Sequence, residues 1–514
     1  MVASLLKLIS SGIQDERLFY KMTFYPFLKL WKKAGRFTTQ WIRFDFDSVP
    51  TFGSTSFFRI TRKGHICTRL YLVANMPRID GQQIAAKAVA GADFAGPNFG
   101  WTNSLGHALV AGATMDIGGA RVENLNSRLL EMLDEYTVPL EKTTVVNRMI
   151  KRVDNGFTDK TFGHGIEPER VIVPLPFWFC RGDPGCGLPV DAISHDEMRI
   201  GVTFRGVNGL YYTDKRNMGN ISSSLQGADG TGLWPMAESK FYRYDPGGDL
   251  VPGIDCINRV VPIPGIEMPR EFRLGETYIM AEFVYLDQPE ANRFRLADLE
   301  IPIVQHYAIE PFQTQGLPRA RIRVDIPNPT RDLYWFAQRV EAPTLNAHFL
   351  ATRELSAPNQ PETVSCQQTL WWPDAIGLDA RYPGPIRPAF ALSNSEPMKA
   401  MALMYEGSLV RFRTENPALY RSILPSFEQK KSPWVNRYYY NLPIGIQNGM
   451  VPFSKPRGEG NLDKIQNREL VLEFEPLRGS YNPNDVPAYN IYVFAETYNI
   501  LRVYGGRAGT LFAY

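Results

Sequence analysis

Six histidines, five cysteines and 53 carboxylates are distributed over 514 residues, and their spacing decides what chemistry they can support. His65, His107, His164, His195, His306 and His348 are dispersed. None forms a zinc-type ligand set with the cysteines, and none has the close histidine neighbour and carboxylate of a histidine-held metal centre. Glycoside hydrolysis needs two carboxylates facing each other across a cleft, one with a raised pKa. Asp183, Asp191 and Glu459 instead fall in segments that read as loops and turns. Neither a Gly-x-Ser-x-Gly elbow nor a phosphate-binding glycine loop occurs. The expectation is a protein that is not an enzyme, with no catalytic residue, cofactor site or metal site to nominate.

Cys67, Cys180, Cys186, Cys256 and Cys366 are few for this length and odd in number, which points to a reduced, cytosolic setting. Cys180 and Cys186 flank the turn Asp183-Pro184-Gly185. A local disulfide is sterically conceivable there; two buried or loop thiols are the preferred reading. Lys and Arg (56) nearly balance Asp and Glu (53), so the whole chain shows no electrostatic footprint for nucleic acid.

The elements that must position these residues are mostly strands. Hydrophobic content of 44% suffices for two cores, and 42 Gly with 39 Pro favour a turn-rich, all-β chain. The size prior gives two domains. Phe37 to Phe46 reads as a strand, and Phe57 to Met76 as two alternating runs around Lys63-Gly64, a hairpin-like signal. Residues 77 to 114, rich in Ala, Gly and Asn, read as a surface connection. A strand then turns at Gly118-Gly119 and leads to a helix over Asn124 to Tyr136, with Leu125, Leu129, Met132 and Leu133 on one face. Asp134 and Glu135 are expected on its solvated side. Residues 206 to 270 lack periodicity and read as a long loop. Gly275 to Leu286 is a buried strand, and Asp287 to Leu296 has the polarity of a hinge. No run reaches the roughly 18 apolar residues of a membrane span. At the start, Leu5, Leu6, Leu8, Ile9 and Ile13 fall near helical spacing around Lys7, which fits a terminal arm over residues 1–23 better than a signal peptide.

One plan occurs twice. RVIVPLPFWFCRGDPGCGLPVDAISHDEMRIGVTFR (Arg170 to Arg205) is an apolar strand, a Leu-Pro break, a Gly/Pro-rich loop and an alternating strand. YYYNLPIGIQNGMVPFSKPRGEGNLDKIQNRELVLEF (Tyr438 to Phe474) has the same order of parts. Leu70-Tyr71-Leu72 matches Leu333-Tyr334-Trp335, and Tyr489 to Leu501 stands where Tyr278 to Leu286 stood. Two similar domains follow, 24–287 and 288–514. Many short strands with long loops suggest tandem jelly-roll β-sandwiches with a few short helices.

With those residues in view the chain resembles the major capsid proteins of the nucleocytoplasmic large DNA viruses. The stretches that carry the likeness are FYPFLKLWKKAGRFT (Phe24 to Thr38), ITRKGHICTRLYL (Ile60 to Leu72), DIGGARVENL (Asp116 to Leu125) and Pro174 to Phe204. NPTRDLYWFAQ (Asn328 to Gln338), GEGNLDKIQN (Gly458 to Asn467) and YNILRVYGGRAGTLFAY (Tyr498 to Tyr514) complete the set in order. Leu462 and Asp463 replace the aromatic and Ser common in the family. The resemblance implies a double jelly roll, three copies forming a homotrimeric capsomer of nearly hexagonal outline, and an icosahedral capsid assembled in the host cytoplasm. It also implies minor capsid proteins, and an internal membrane, as partners beneath the shell.

On that reading Trp178, Phe179, Arg181 and Trp434 are candidate assembly contacts, with the first domain's own core as the alternative for Trp178 and Phe179. Lys29, Lys32, Lys33 and Arg36 with Trp31 form a candidate inner-face basic cluster, or an exposed charged turn. Asn220-Ile221-Ser222 is the one glycosylation triplet. Two rivals stay open. A glycan- or receptor-binding virion protein would stack sugars on loop aromatics such as Tyr211, Tyr212 and Trp234; a jelly-roll carbohydrate-active enzyme would need a cleft.

Overall fold

In the computed structural model, the described residues are 37–80, 99–152, 165–166, 169–182, 184–213, 243–244, 250–251, 273–340, 342–343, 348–353, 396–407, 409–433, 437–446, 448–449, 457–476 and 486–512. The N-terminal arm, the basic cluster Lys29, Lys32, Lys33 and Arg36, Asn220, Trp234 and Trp434 lie outside them, as does most of 206–270.

Two sets of eight strands carry the fold. The first set is β1 (Phe37–Phe44), β2 (Thr55–Arg59), β3 (Ile66–Asn75), β4 (Val110–Ile117), β5 (Ala120–Asn126), β6 (Arg170–Pro174), β7 (Met198–Phe204) and β8 (Thr277–Leu286). They form two antiparallel sheets, ordered β1-β8-β3-β6 and β2-β7-β4-β5. The second set is β9 (Leu299–Ala308), β10 (Arg319–Arg323), β11 (Thr330–Arg339), β12 (Met398–Tyr405), β13 (Leu409–Thr414), β14 (Tyr440–Pro443), β15 (Glu469–Phe474) and β16 (Tyr489–Tyr504). Its sheets run β9-β16-β11-β14 and β10-β15-β12-β13. Each strand of the second set occupies the place of the strand eight earlier. This is a double jelly roll, and the repeated plan is β6-loop-β7 in one sandwich and β14-loop-β15 in the other.

Burial follows from these positions. β8 runs through the middle of its sheet with alternate residues buried, so Ile279, Ala281 and Phe283 face the core. All ten residues of β11 are buried. One face of that strand points into its own sandwich and the other is covered by the first one, which explains the run Leu333-Tyr334-Trp335-Phe336. A single connected apolar cluster spans both sandwiches.

Four local expectations change. The Lys63-Gly64 turn does not close a hairpin: β2 pairs with β7 and β3 with β8 and β6, so the chain crosses from one sheet to the other. A Cβ on Gly64 would meet the Phe283 Cβ at 2.7 Å, and only glycine lets the crossing chain pass so near β8. The surface connection expected over 77–114 becomes core from Trp101 onward. There α1 (Leu105–Leu109) is wholly buried, because small residues let a helix seat between the sheet and the next helices. The predicted helix is α2 (Ser127–Thr137), starting three residues later because β5 runs on to Asn126, whose side chain caps the helix by accepting from Leu129 N at 2.8 Å. The hinge-like Asp287–Leu296 is α4 (Gln288–Leu296), with Pro289 and Glu290 in its first turn and Arg293 and Arg295 in its last. Between these, α3 (Leu140–Ile150) ends near Arg152.

Candidate functional site

Among the described residues, the seam between the sandwiches gathers a dense set of buried charged side chains. It is built from two charged nests, both buried. The first centres on α2, where Glu131, Asp134 and Glu135 fall three and four residues apart and so share one face of the helix. Glu131 accepts from Arg152 through both oxygens, at 3.0 and 2.6 Å, and from Ser104 Oγ at 3.0 Å. His107 Nδ1 lies 2.7 Å from its Oε2. Arg152 also pairs with Asp134 and, at 3.4 Å, with Glu135. From the second sandwich, Arg437 reaches Glu131 at 3.4 Å and Lys431 reaches Glu135 at 3.6 Å. Burial pushes the Glu131 carboxyl up, but Arg152, the His107 hydrogen bond and Arg437 outweigh it and hold the group well below the usual carboxylate range.

The expectation that Asp134 and Glu135 face solvent is therefore wrong. The face opposite the leucines of α2 is covered by Arg152 and by the second sandwich, so the polar side of an amphipathic helix is interior here. A sequence signal existed: Arg152, Lys431 and Arg437 supply the matching charge, but nothing local says that they converge.

The second nest lies across β5 and β9. Glu123 Oε1 is 2.8 Å from His306 Nδ1, and its Oε2 accepts from Trp178 N at 3.1 Å. Arg181 pairs with Glu496 and contacts His306. Arg331 approaches the other oxygen of Glu496 at 3.7 Å, and Asp332 at the same distance. Backbone and side-chain bonds extend the join, among them Gln305 Nε2 to Val122 O at 2.5 Å, Ala508 N to Asp196 Oδ2 at 2.8 Å and Arg295 Nε to Asp191 Oδ2 at 2.7 Å.

These contacts relocate the candidate assembly residues. Trp178 and Phe179 are each 1% exposed, with their rings edge-on at 5.0 Å, so both belong to the core and cannot be reached by a second chain. The core alternative holds for them. Arg181 is spent on Glu496 within the same chain. Cys67, Cys180 and Cys186 are free thiols here, and burial raises the first two above their usual range. Cys186 donates to Pro302 O at 3.3 Å, so the turn that spaces the cysteines docks on the second sandwich. Leu462, the departure from the family pattern, is buried in a short 3-10 turn beside the Thr330–Gly460 bridge. Tyr211 lies in a two-strand ladder with Trp101, and Asp183 falls outside the described residues. Among the described residues, no group of three His, Cys, Asp or Glu is placed to hold a metal ion.

A family model described as "Major capsid protein N-terminus" matches residues 26–242. A probable capsid protein of Acanthamoeba polyphaga mimivirus is 25% identical over 211 residues, 41% of this chain and 39% of that protein. The major capsid protein of Pyramimonas orientalis virus is 23% identical over 340 residues, 65% of each chain. This chain thus spans less than two thirds of the length of either relative. The PBCV-1 virus capsid structure superposes with a TM-score of 0.62 at 16% identity, covering 95% of this chain and 100% of that one, and supports the fold. Strand order and the superposed capsid structure agree on a double jelly-roll fold, and over residues 26–242 and along the matched relatives the chain is similar to the major capsid proteins of large DNA viruses.

Proposed function

We propose that this chain is a structural shell protein, without enzymatic activity, that forms a homotrimeric capsomer of pseudo-hexagonal outline and tiles an icosahedral capsid. The observation that carries this reading is the identical strand order of two sandwiches locked side by side by a buried seam. Three chains with two similar lobes each present six lobes, so a closed threefold assembly can meet neighbours in a sixfold lattice. The lobes are assigned to residues 24–287 and 288–514, with 1–23 as an arm.

Exposed sheet edges supply surfaces for such contacts. β1 exposes Phe37 and Trp41, and β13 exposes Leu409 and Val410, leaving apolar side chains at two margins that carry no further strand among the described residues. The basic cluster from Lys29 to Arg36 suits minor capsid proteins or an internal membrane below the shell, with assembly in the host cytoplasm. Mass measurement of the purified protein tests the central claim: a stable species near three times 58.2 kDa is expected, with hexagonal outlines by electron microscopy. A monodisperse monomer at micromolar concentration overturns it.

A further inference from the structure

A cavity of about 660 Å³ opens between the two sandwiches beside the charged nests. Lys142 and Arg181 of the first sandwich and Arg331 and Lys430 of the second line it. Of the two carboxylates in its wall, Glu496 already lies between Arg181 and Arg331, and Asp134 is held by Arg152. Among the described residues, no carboxylate lies within ion-pair distance of Lys142 or Lys430. Burial lowers the Lys430 pKa, and Lys142, Arg181 and Arg331 lower it further, so the four cations share one field. Lys430 is also held in place, because Gly449 N donates to Glu428 O at 2.7 Å and closes the next loop over this segment.

Like charges gathered at one cavity repel one another unless an anion enters. A monocarboxylate would offset only one of the uncompensated ammoniums. A tetrahedral anion with several charges can accept from Lys142 and Lys430 together, within the field of the two guanidiniums. Leu130, Leu133 and Tyr334 leave an apolar wall beside the cations. We propose that this cavity binds a small phosphate-bearing anion, which links the two sandwiches through Lys142 on one side and Lys430 on the other. The site is complete within one chain, so its test is independent of trimer formation.

The full-length chain is titrated with pyrophosphate at constant ionic strength, following the unfolding temperature and the heat of binding. A saturable rise in unfolding temperature is expected. Lys142→Met and Lys430→Met should each weaken binding about tenfold, as loss of one charge-assisted contact does. Lys464→Met, an exposed lysine elsewhere, should leave it unchanged. Lys142 is exposed and Lys430, though partly enclosed by the cavity wall, keeps solvent contact, so their variants are expected to keep the fold, which circular dichroism verifies. A response no larger than that to sodium chloride overturns the proposal, as does equal affinity in the Lys142→Met/Lys430→Met double variant. Tighter binding of a glutamate-rich peptide than of pyrophosphate also overturns it, in favour of a peptide site.

Discussion

Glu131 is the residue on which the first nest depends. It is fully buried, touched by Arg152, Arg437, His107 and Ser104, and it is ionised because those donors outweigh its desolvation. Glu131→Gln removes one charge and leaves two guanidiniums facing a neutral amide. A loss of about 3–5 kcal/mol is expected, the usual cost of breaking a buried pair by removing one partner, measured by urea unfolding at pH 7. Asp332 behaves in the opposite way. Burial pushes its carboxyl up to about 7, Arg331 pulling down and Glu496 adding to the rise. The folded protein therefore holds a proton there that the unfolded chain, with an ordinary value of 3.8, has released. That contribution to stability is fully present below pH 3.8 and is lost as pH rises through about 7. Asp332→Asn removes this loss and keeps an acceptor for Gln429 and Asn441, which both donate to Oδ1. The stability of the variant relative to the native chain should improve by roughly 1–3 kcal/mol between pH 5 and pH 8. A flat difference across that range would count against the assignment.

At the scale of elements, α2 decides the seam. Its apolar face packs on the first core and its acidic face meets the second sandwich, and the ring of Tyr136 at its end packs tilted at 5.4 Å against Tyr334 of β11. The Asn126 cap sets where this helix begins, and with it which residues face Arg152. Asn126→Ala should cost about 1 kcal/mol in chemical unfolding, with unchanged far-ultraviolet circular dichroism. The C-terminal turn is a second fastening point. Gly506 has φ +78, and a Cβ there would land on Ser194 of the first sandwich, while its carbonyl accepts from His195 N at 2.8 Å. Gly506→Ala is therefore expected to lift this turn off and to lower the unfolding temperature, by about 1 °C per kcal/mol lost for a cooperative unit of this size.

For the whole molecule, the continuous core and the charged seam make the two sandwiches one cooperative unit. A single calorimetric transition is expected for the native chain. Arg181→Met with Arg437→Met removes the Arg181–Glu496 pair from one nest and the pairs of Arg437 with Glu131 and Glu135 from the other, and should broaden or split that transition. A native chain that already melts in two resolved steps would contradict this description of the seam. In the proposed capsomer the same rigidity would bear on assembly, since a fixed angle between lobes would let three chains close on themselves without an entropic cost for aligning each half.

Strand pattern and repeat order were readable from the residues alone, because a strand's period of two and its flanking Gly and Pro are local properties. The pairs Leu70 to Leu72 with Leu333 to Trp335, and Tyr278 to Leu286 with Tyr489 to Leu501, proved to be equivalent strands of the two jelly rolls. Pairing was not readable: alternation at Lys63-Gly64 fits a hairpin and a crossing between sheets equally well, and only contact with Phe283 distinguishes them. Nor could sequence show that Glu131, Asp134 and Glu135 are interior. Their partners lie at Arg152, Lys431 and Arg437, up to some three hundred residues away, and a polar helix face reads as solvated until something covers it. Local periodicity thus determined the two sandwiches, while the seam that joins them was decided by long-range charge pairing, which only the tertiary structure brings together.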